Sequence, residues 1–182
     1  MRIDSILAEL AGSKHELNPR ATPDEVARTE SLIGAKLPES YRQFVTEFSN
    51  GAYLFMIQEV SAVGKGSRKI DPIQNSFHHR WTTGEPLTPD ALEADIEFRE
   101  GGSVKRTHLI PFSLDENGNE WCFVADRLGE DGEYPVAYLS ASRLFGRLEN
   151  FAAWLRTLID HQEEVIRSLY DDRVIHDELG LG

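Results

Sequence analysis

The sequence predicts a single α+β domain, in which a mostly antiparallel sheet packs against N-terminal helices and a long C-terminal helix. Two short amphipathic helices with well-marked ends follow one another between Thr22 and Gly51. Short β-prone runs separated by turn residues fill the middle of the chain, and a three-to-four apolar spacing returns near its end. Helices and strands segregated in this way are typical of the α+β class. The 182 residues are enough for one hydrophobic core.

The N-terminal segment, residues 1–17, is predicted to contain a short amphipathic helix. Ile3, Ile6, Leu7 and Leu10 fall on one face of such a helix. The segment has no apolar run of the kind that a signal peptide or a membrane span requires. We therefore expect a cytoplasmic protein that does not enter a membrane.

A capping box marks the start of the next helix. Thr22 is suited to cap it, Pro23 occupies the first turn, where its missing N–H costs nothing, and Glu25 completes the T-x-x-E pattern. Gly34 offers the positive φ that a helix C-terminus commonly needs. The pattern predicts a helix of about three turns.

A leucine-proline pair opens the following helix. Leu37 and Pro38 precede a strongly apolar and aromatic face, and Asn50-Gly51 ends the helix. The residues of that face keep the i, i+3, i+4, i+7 spacing: Tyr41, Phe44, Val45 and Phe48. Their spacing predicts core packing and no cofactor site.

Several strands are predicted after these helices. The run 52–63 is apolar and β-prone, and strands at 109–114 and 121–124 flank Asn117-Gly118, a dipeptide favoured in hairpin turns. Residues 134–139 are predicted to form a further strand. We expect these strands to pair mostly in antiparallel fashion.

Two more helices complete the prediction. Within the polar segment 84–102, Pro89–Leu92 is predicted to open a short helix. A long helix is predicted from Leu144 to about Asp172, so that a helical extension occupies residues 159–182. Its apolar positions keep a three-to-four spacing: Leu144, Leu148, Phe151, Leu155, Ile159, Val165, Ile166 and Leu169.

The helix pair around Leu37-Pro38 resembles the SMI1/KNR4, or SUKH, superfamily. Its signature is a helix ending in E-x-x-x-G, followed by L-P-x-x-Y-x-x-F-L-x-x-x-N-G. The matching residues are Glu30, Gly34, Leu37, Pro38, Tyr41, Phe44, Asn50 and Gly51, with Val45 in place of the second leucine. The resemblance continues through the I-P-F strand at 109–112, the strand at 134–138 and the helix at 151–155. It places the family core at about 22–158, with a weak match at 52–108.

The charge balance narrows the choice of partners. The chain has 31 acidic and 19 basic residues, which gives a net charge of −12. Such a field repels phosphate backbones and attracts basic proteins. We therefore expect a protein partner and no nucleic acid, although solvated acidic faces that serve only solubility are the plainer interpretation of the charge.

No catalytic or cofactor motif is found. The oxygen-bearing run from Asp115 to Asp126 superficially resembles a calcium loop, but Glu120 stands where such a loop needs glycine, and a plain hairpin turn is favoured. The pair His78-His79 lacks further ligands at metal-binding spacing. The single cysteine, Cys122, lies in an apolar run. We expect no cofactor, no metal and no enzymatic activity.

The resemblance implies a binding function. Bacterial members of the superfamily are typically immunity proteins, which bind and neutralise a cognate toxin domain such as a nuclease. Fungal members look like regulatory scaffolds. We therefore expect an immunity protein that covers a basic toxin domain, and the alternative is a regulatory scaffold of the SMI1/KNR4 type without a toxin partner.

Acidic turns at one end of the sheet are the expected contacts. The residues are Asp115, Glu116, Glu120, Glu130, Asp131 and Glu133. Trp81 lies in a polar loop, where it would either anchor a partner or pack onto the core.

Overall fold

The computed structural model describes residues 3–55, 58–67, 69–78, 86–114, 119–126, 128–140 and 143–160. Within these residues the chain forms one α+β unit with six α-helices, a three-stranded sheet and a six-stranded sheet. The predicted fold class is confirmed. None of the described helices combines the length and the apolar character needed to cross a bilayer.

The helices occupy both ends of the described chain and part of its middle. Their bounds are α1 Ile3–Leu10, α2 Pro23–Ile33, α3 Glu39–Gln43, α4 Ile73–His78, α5 Pro89–Leu92 and α6 Phe151–Asp160. A π-helical turn, Phe44–Phe48, continues α3, and a 3-10 turn covers Arg106–His108.

The strands form two sheets, and all neighbouring strands but one pair are antiparallel. Strands β1 Glu16–Leu17, β2 Ala52–Leu54 and β3 Gln58–Val60 form the small sheet in that order. The large sheet has the order β5-β4-β9-β8-β7-β6, and its β4–β9 pair is parallel. Its strands are β4 Asp95–Phe98, β5 Ser103–Lys105, β6 Leu109–Leu114, β7 Glu120–Val124, β8 Val136–Ser140 and β9 Arg143–Leu148.

Helix α2 has the ends that the sequence predicts. The Glu25 amide donates to Thr22 Oγ1 at 3.3 Å, and the Thr22 amide donates to Glu25 Oε2 at 2.8 Å, which is a complete capping box. Gly34 has φ 71°, and its amide donates to the Glu30 carbonyl at 2.9 Å. Each of these interactions spans four residues or fewer.

The helix after Leu37-Pro38 changes its geometry halfway. Helix α3 gives way to the π-helical turn, in which the Ser49 amide donates to the Phe44 carbonyl at 3.0 Å, five residues back. Tyr41 and Phe44 are fully buried, and the Tyr41 hydroxyl donates to the Ser61 carbonyl at 2.7 Å. The sequence predicts this segment as one regular helix, and the extra residue per turn is a difference from that prediction.

The six-stranded sheet is strongly curled. Strands β5 and β6 are the two ends of its order, yet only the 3-10 turn Arg106–His108 joins them. The four Cα–Cα steps from Lys105 to Leu109 span at most about 15 Å, whereas six flat strands would hold the outer two about 24 Å apart. An apolar cluster fills the concave face with residues from all six strands: Phe98, Val104, Leu109, Cys122, Val124, Ala137 and Leu144.

The other face of the sheet carries the main core. Phe112 and Phe123 stack with ring centroids 4.2 Å apart, and Trp154 of α6 packs edge-on against Phe112 at 5.0 Å. Apolar residues of α1, which lies before the helix pair, belong to the same cluster. The core therefore joins the N-terminal and closing helices to one side of the sheet.

The prediction of a helix starting at Leu144 is wrong. Residues 143–148 form β9, and α6 begins at Phe151, where the Asn150 side chain accepts a hydrogen bond from the Ala153 amide at 2.9 Å. A register shift between β8 and β9 lets Leu144 join the concave cluster while Leu148 packs on the main core. A spacing of four residues fits a helix as well as this irregular strand.

Other boundaries also differ from the prediction. The predicted amphipathic helix forms as α1, with Ile3, Ile6, Leu7 and Leu10 buried, but the segment 1–17 is not helical throughout, since Glu16–Leu17 is β1. The single strand expected at 52–63 is the antiparallel pair β2 and β3. Helix α4 and strands β4 and β5 were not predicted. The predicted extension beyond Asp160 lies outside the described residues.

Candidate functional site

A closed turn between β7 and β8 carries most of the described acidic residues predicted to contact a partner. We call residues 128–133 the acidic loop. The Gly129 amide donates to the Glu133 carbonyl at 2.9 Å, and the Gly132 amide donates to the Gly129 carbonyl at 3.0 Å. Asp131 Oδ1 accepts from the Glu133 amide at 3.2 Å. These bonds fix the backbone of the loop.

The acidic loop is bonded to the start of α3. The Glu39 amide donates to the Gly132 carbonyl at 3.1 Å. Ser40 donates twice to the Glu133 carboxylate, from its amide to Oε1 and from its hydroxyl to Oε2, both at 2.7 Å. Pro38 stands at the N-cap and has no side-chain capping bond of its own. Glu133 therefore supplies the cap of α3 from 93 residues away.

Carboxylates crowd together where the loop meets α3. We call Glu39, Glu130, Asp131 and Glu133 the acidic surface; the first three are exposed, and Glu133 is half-buried. Burial raises the pKa of Glu133, and the negative charges of Asp131 and Glu39 raise it further, against the hydrogen bonds from Ser40. The surface therefore carries mutual repulsion that a nearby cation would relieve.

One arginine already approaches this surface. Arg42 Nη1 lies 3.2 Å from Glu39 Oε2, and both side chains are about half exposed to water. Such an exposed pair contributes little to stability. Arg42 also lies 3.8 Å from the buried carboxylate of Glu30.

Glu30 of the E-x-x-x-G pattern has a structural role. It is 6% exposed, and its Oε1 accepts from the Leu37 amide at 3.0 Å. Its Oε2 accepts from Lys36 Nζ at 2.8 Å. The carboxylate therefore fixes the turn that leads from α2 to Leu37-Pro38.

Asn50 likewise acts within the fold. Its Nδ2 donates to the Val63 carbonyl at 3.1 Å, and its Oδ1 accepts from the Val63 amide at 2.7 Å. The side chain thus pairs with the backbone as a neighbouring strand would. The signature residues around α2 and α3 build the scaffold, as the sequence indicates, and they leave the acidic loop as the candidate contact region.

Glu120 does not belong to the acidic surface, so its prediction as an exposed contact is corrected. It is 8% exposed, and its Oε2 lies 3.3 Å from Nη2 of the buried Arg106. Its position at the first residue of β7 directs it into the fold. Glu130, Asp131 and Glu133 are brought together by the loop, whereas Asp115, Glu116 and Trp81 lie outside the described residues.

The sequence does not predict two residues of this site. Glu39 extends the acidic surface, and Ser40 holds Glu133. The sequence shows only that Glu39 directly follows Pro38 at a helix start, where acidic residues are favoured. Its approach to residues 130–133 depends on the tertiary fold.

Cys122 offers no reactive thiolate. It is fully buried, and burial, followed by the charge of Glu120, raises the pKa of its thiol well above the ordinary value. Within the described ranges, no three His, Cys, Asp or Glu side chains are grouped so as to hold a metal ion.

Removing the Glu133 side chain is expected to loosen the site. We expect Glu133→Ala to lower the free energy of unfolding by about 1–2 kcal/mol, because α3 loses its cap. Glu133→Gln is the matched control: it keeps an acceptor for the Ser40 amide and removes the charge that burial and neighbouring acids disfavour. Urea denaturation measures both variants. Equal losses for alanine and glutamine would contradict the capping role.

Comparison with known proteins identifies the family of most of the chain. The model of the SMI1 / KNR4 family (SUKH-1) matches residues 20–157, which is well over half of the sequence. A search of curated proteins found no match. The matched range begins before α2 and ends within α6, so it includes both sheets apart from β1 and also the acidic loop. The chain therefore belongs to the SMI1 / KNR4 (SUKH-1) family.

Proposed function

We propose that this protein is a non-catalytic immunity protein, which neutralises a bacterial toxin domain by covering a basic surface of that domain with its acidic surface. The family is known in toxin-immunity systems. The observation that carries the proposal is the bonding of the acidic loop to the start of α3, because it holds Glu39, Glu130 and Asp131 exposed on fixed backbone.

A fixed acidic loop is suited to binding because it loses little conformational entropy when a partner binds. Flexible loops lose conformational entropy when they bind, and a loop already held by hydrogen bonds avoids most of that loss. The bonds from Gly129, Gly132 and Ser40 supply this order. A partner with lysine or arginine side chains would then relieve the repulsion among the carboxylates.

The net charge of the chain supports the same partner. A protein with charge −12 attracts a basic domain over distances comparable to the Debye length, about 8–10 Å at physiological salt. A toxin that acts on nucleic acid presents a cationic cleft. The acidic surface would occupy that cleft and oppose entry of the substrate.

Rescue from toxicity tests the function directly. The C-terminal domain of the protein encoded by the upstream neighbouring gene is expressed alone and then together with this chain, and survival is scored. We expect toxicity alone and survival with both. Toxicity that persists despite soluble co-expression would favour a regulatory scaffold of the same family.

Charge reversal tests the contact surface. With the toxin domain in hand, we expect the double variant Glu39→Lys/Glu130→Lys to slow association by about tenfold at low salt, and by less at high salt, because the acidic surface would then repel a basic partner. Stopped-flow or surface-plasmon measurements give the association rate constant.

A matched control separates local contact from overall charge. Glu47→Lys/Glu149→Lys changes the net charge by the same amount at two exposed residues outside the acidic surface. We expect it to slow association much less. Equal slowing by both double variants would remove the acidic surface from the proposal and leave only long-range attraction.

A further inference from the structure

His15 connects two separate parts of the backbone through its two ring nitrogens. Its Nε2 lies 2.8 Å from the carbonyl oxygen of Leu10, at the end of α1. Its Nδ1 lies 3.0 Å from the amide nitrogen of Phe55, just after β2. Residue 15 lies before the range 20–157 matched by the family model, so this connection is a feature of the chain outside that match.

The two partners require one form of the imidazole. The Leu10 carbonyl only accepts, so Nε2 must carry a hydrogen, and the Phe55 amide only donates, so Nδ1 must be unprotonated. The geometry therefore selects the neutral Nε2–H tautomer. A proton added at Nδ1 would face the Phe55 N–H across 3.0 Å, and one hydrogen bond would become a repulsive contact.

Aromatic rings and a strained turn surround the His15 ring. The rings of Phe55 and Phe48 pack edge-on against the imidazole at 4.9 and 6.2 Å. Phe55 has φ 52° and is the one non-glycine residue with positive φ in the described part of the chain. A phenylalanine rarely adopts this strained conformation, so the hydrogen bond from its amide helps to hold a strained turn.

Charged groups near His15 are paired with other residues or exposed. Glu9 of α1 is paired with Arg156, Glu16 of β1 with Lys69, and Glu59 of β3 accepts from Tyr53. On the segments adjoining the ring, Lys14 precedes it and Glu47 lies on the π-helical turn, and both are exposed. Within the described ranges, the imidazole has hydrogen bonds only to the Leu10 and Phe55 backbone.

Two effects on the pKa of His15 oppose each other. Burial lowers the pKa, whereas the Leu10 carbonyl raises it, and burial is the larger effect. The pKa therefore lies below its ordinary value of about 6.5. Since the unfolded chain binds the proton more readily, the stability associated with neutral His15 is complete above about pH 6.5 and is lost as pH falls through the folded pKa.

We propose that His15 is a pH-sensitive latch, which holds the turn at Phe55 to the end of α1 while its imidazole is neutral and releases that turn when the imidazole is protonated. Helix α1 stays on α6 in the released state. Its apolar face remains in the core, and Arg156 binds Glu9 through two bonds, at 2.7 and 3.0 Å. The hydrogen bond from Arg156 lowers the pKa of Glu9, so this pair persists in the range where His15 titrates.

Amide hydrogen exchange in the full-length protein tests the latch. We expect the protection of the Phe55 amide, corrected for the intrinsic rate, to fall at least about fivefold between pH 7.5 and pH 5, while amides of α1 keep theirs. Nitrogen shifts of the His15 ring report its tautomer and titration in the same samples. We expect the Nε2–H tautomer and a midpoint below about 6.5.

Two variants distinguish release of the Phe55 turn by His15 from a general loss of stability at low pH. His15→Gln retains a donor and an acceptor but does not titrate, so Phe55 protection is expected to become independent of pH. His108→Gln, in the 3-10 turn, should leave the wild-type pH dependence intact. An Nδ1–H tautomer, or unchanged Phe55 protection in the wild type as His15 protonates, would overturn the proposal whether or not the glutamine variant folds.

Discussion

Replacing Arg106 by alanine is expected to lower the free energy of unfolding by about 3–5 kcal/mol at neutral pH, because it leaves a buried carboxylate without its counter-charge. Arg106 is 7% exposed and Glu120 is 8% exposed. The guanidinium also donates from Nη1 to the Leu109 carbonyl at 3.0 Å. The alanine variant loses this bond as well, at the turn that brings the two ends of the large sheet together.

The loss should depend on pH. Burial raises the pKa of Glu120, and the positive charge of Arg106 opposes that increase. Without Arg106 the folded pKa rises further above the unfolded value, so the variant loses stability as pH rises between those two values. The difference from wild type should therefore be largest near pH 8 and smaller near about pH 5, where the carboxyl group is protonated in the variant.

Urea denaturation at the two pH values measures the effect. Arg106→Met/Glu120→Leu removes both charges together and should recover most of the loss, since apolar pairs often replace buried ion pairs without cost. Lys69→Ala breaks an exposed pair with Glu16 and should cost less than about 1 kcal/mol. A loss of that small size for Arg106→Ala would show that Glu120 reaches water and return it to the set of contact residues.

The predictions that the structure confirms most fully depend on short-range interactions. Helix α2 was predicted with its cap, first proline and terminal glycine because Thr22, Glu25 and Gly34 act on backbone within four residues of themselves. The hairpin of β6 and β7 was predicted from its apolar runs and turn dipeptide, and the two strands pair as expected. Such signals are complete within a short stretch of sequence.

The roles of the acidic residues depend on distant partners. Glu120 needs Arg106, 14 residues earlier, and Glu133 needs Ser40, 93 residues earlier. From the sequence, both were acids near a turn, and nothing local distinguished them from Glu130. A carboxylate can be buried only where another group pairs with it, and for these two residues the tertiary fold supplies that group.

The curl of the large sheet also could not be predicted from the sequence. The sequence predicts only β6, β7 and β8 among the strands of this sheet, and the order β5-β4-β9-β8-β7-β6 places β9 beside β4, 45 or more residues earlier, in a parallel pair. The apolar residues on both faces of β7 and β8 predict only that both faces of these strands are buried. The concave cluster emerges only when the two ends of the sheet approach each other.

Gly51→Ala is expected to lower the free energy of unfolding by about 2–4 kcal/mol, through a backbone cost and a steric cost. Gly51 has φ 78°, which an alanine adopts at a cost of about 1–2 kcal/mol. A Cβ at this position would lie 2.8 Å from Ile70 Cγ2 and 3.1 Å from both Ala62 Cβ and the Val60 carbonyl oxygen. These neighbours are buried and leave little room to move.

Gly34→Ala is the matched control for the backbone cost. Gly34 has φ 71°, and a Cβ there would meet nothing within 4 Å. Thermal or urea denaturation of both variants separates the two costs, since their difference measures the clash with Ile70 and Ala62. Equal losses would show that Ile70 and Ala62 move aside without cost. A larger loss at Gly51 would instead show that this glycine lets the chain after the π-helical turn lie against Val60, Ala62 and Ile70, next to the pairing of Asn50 with Val63.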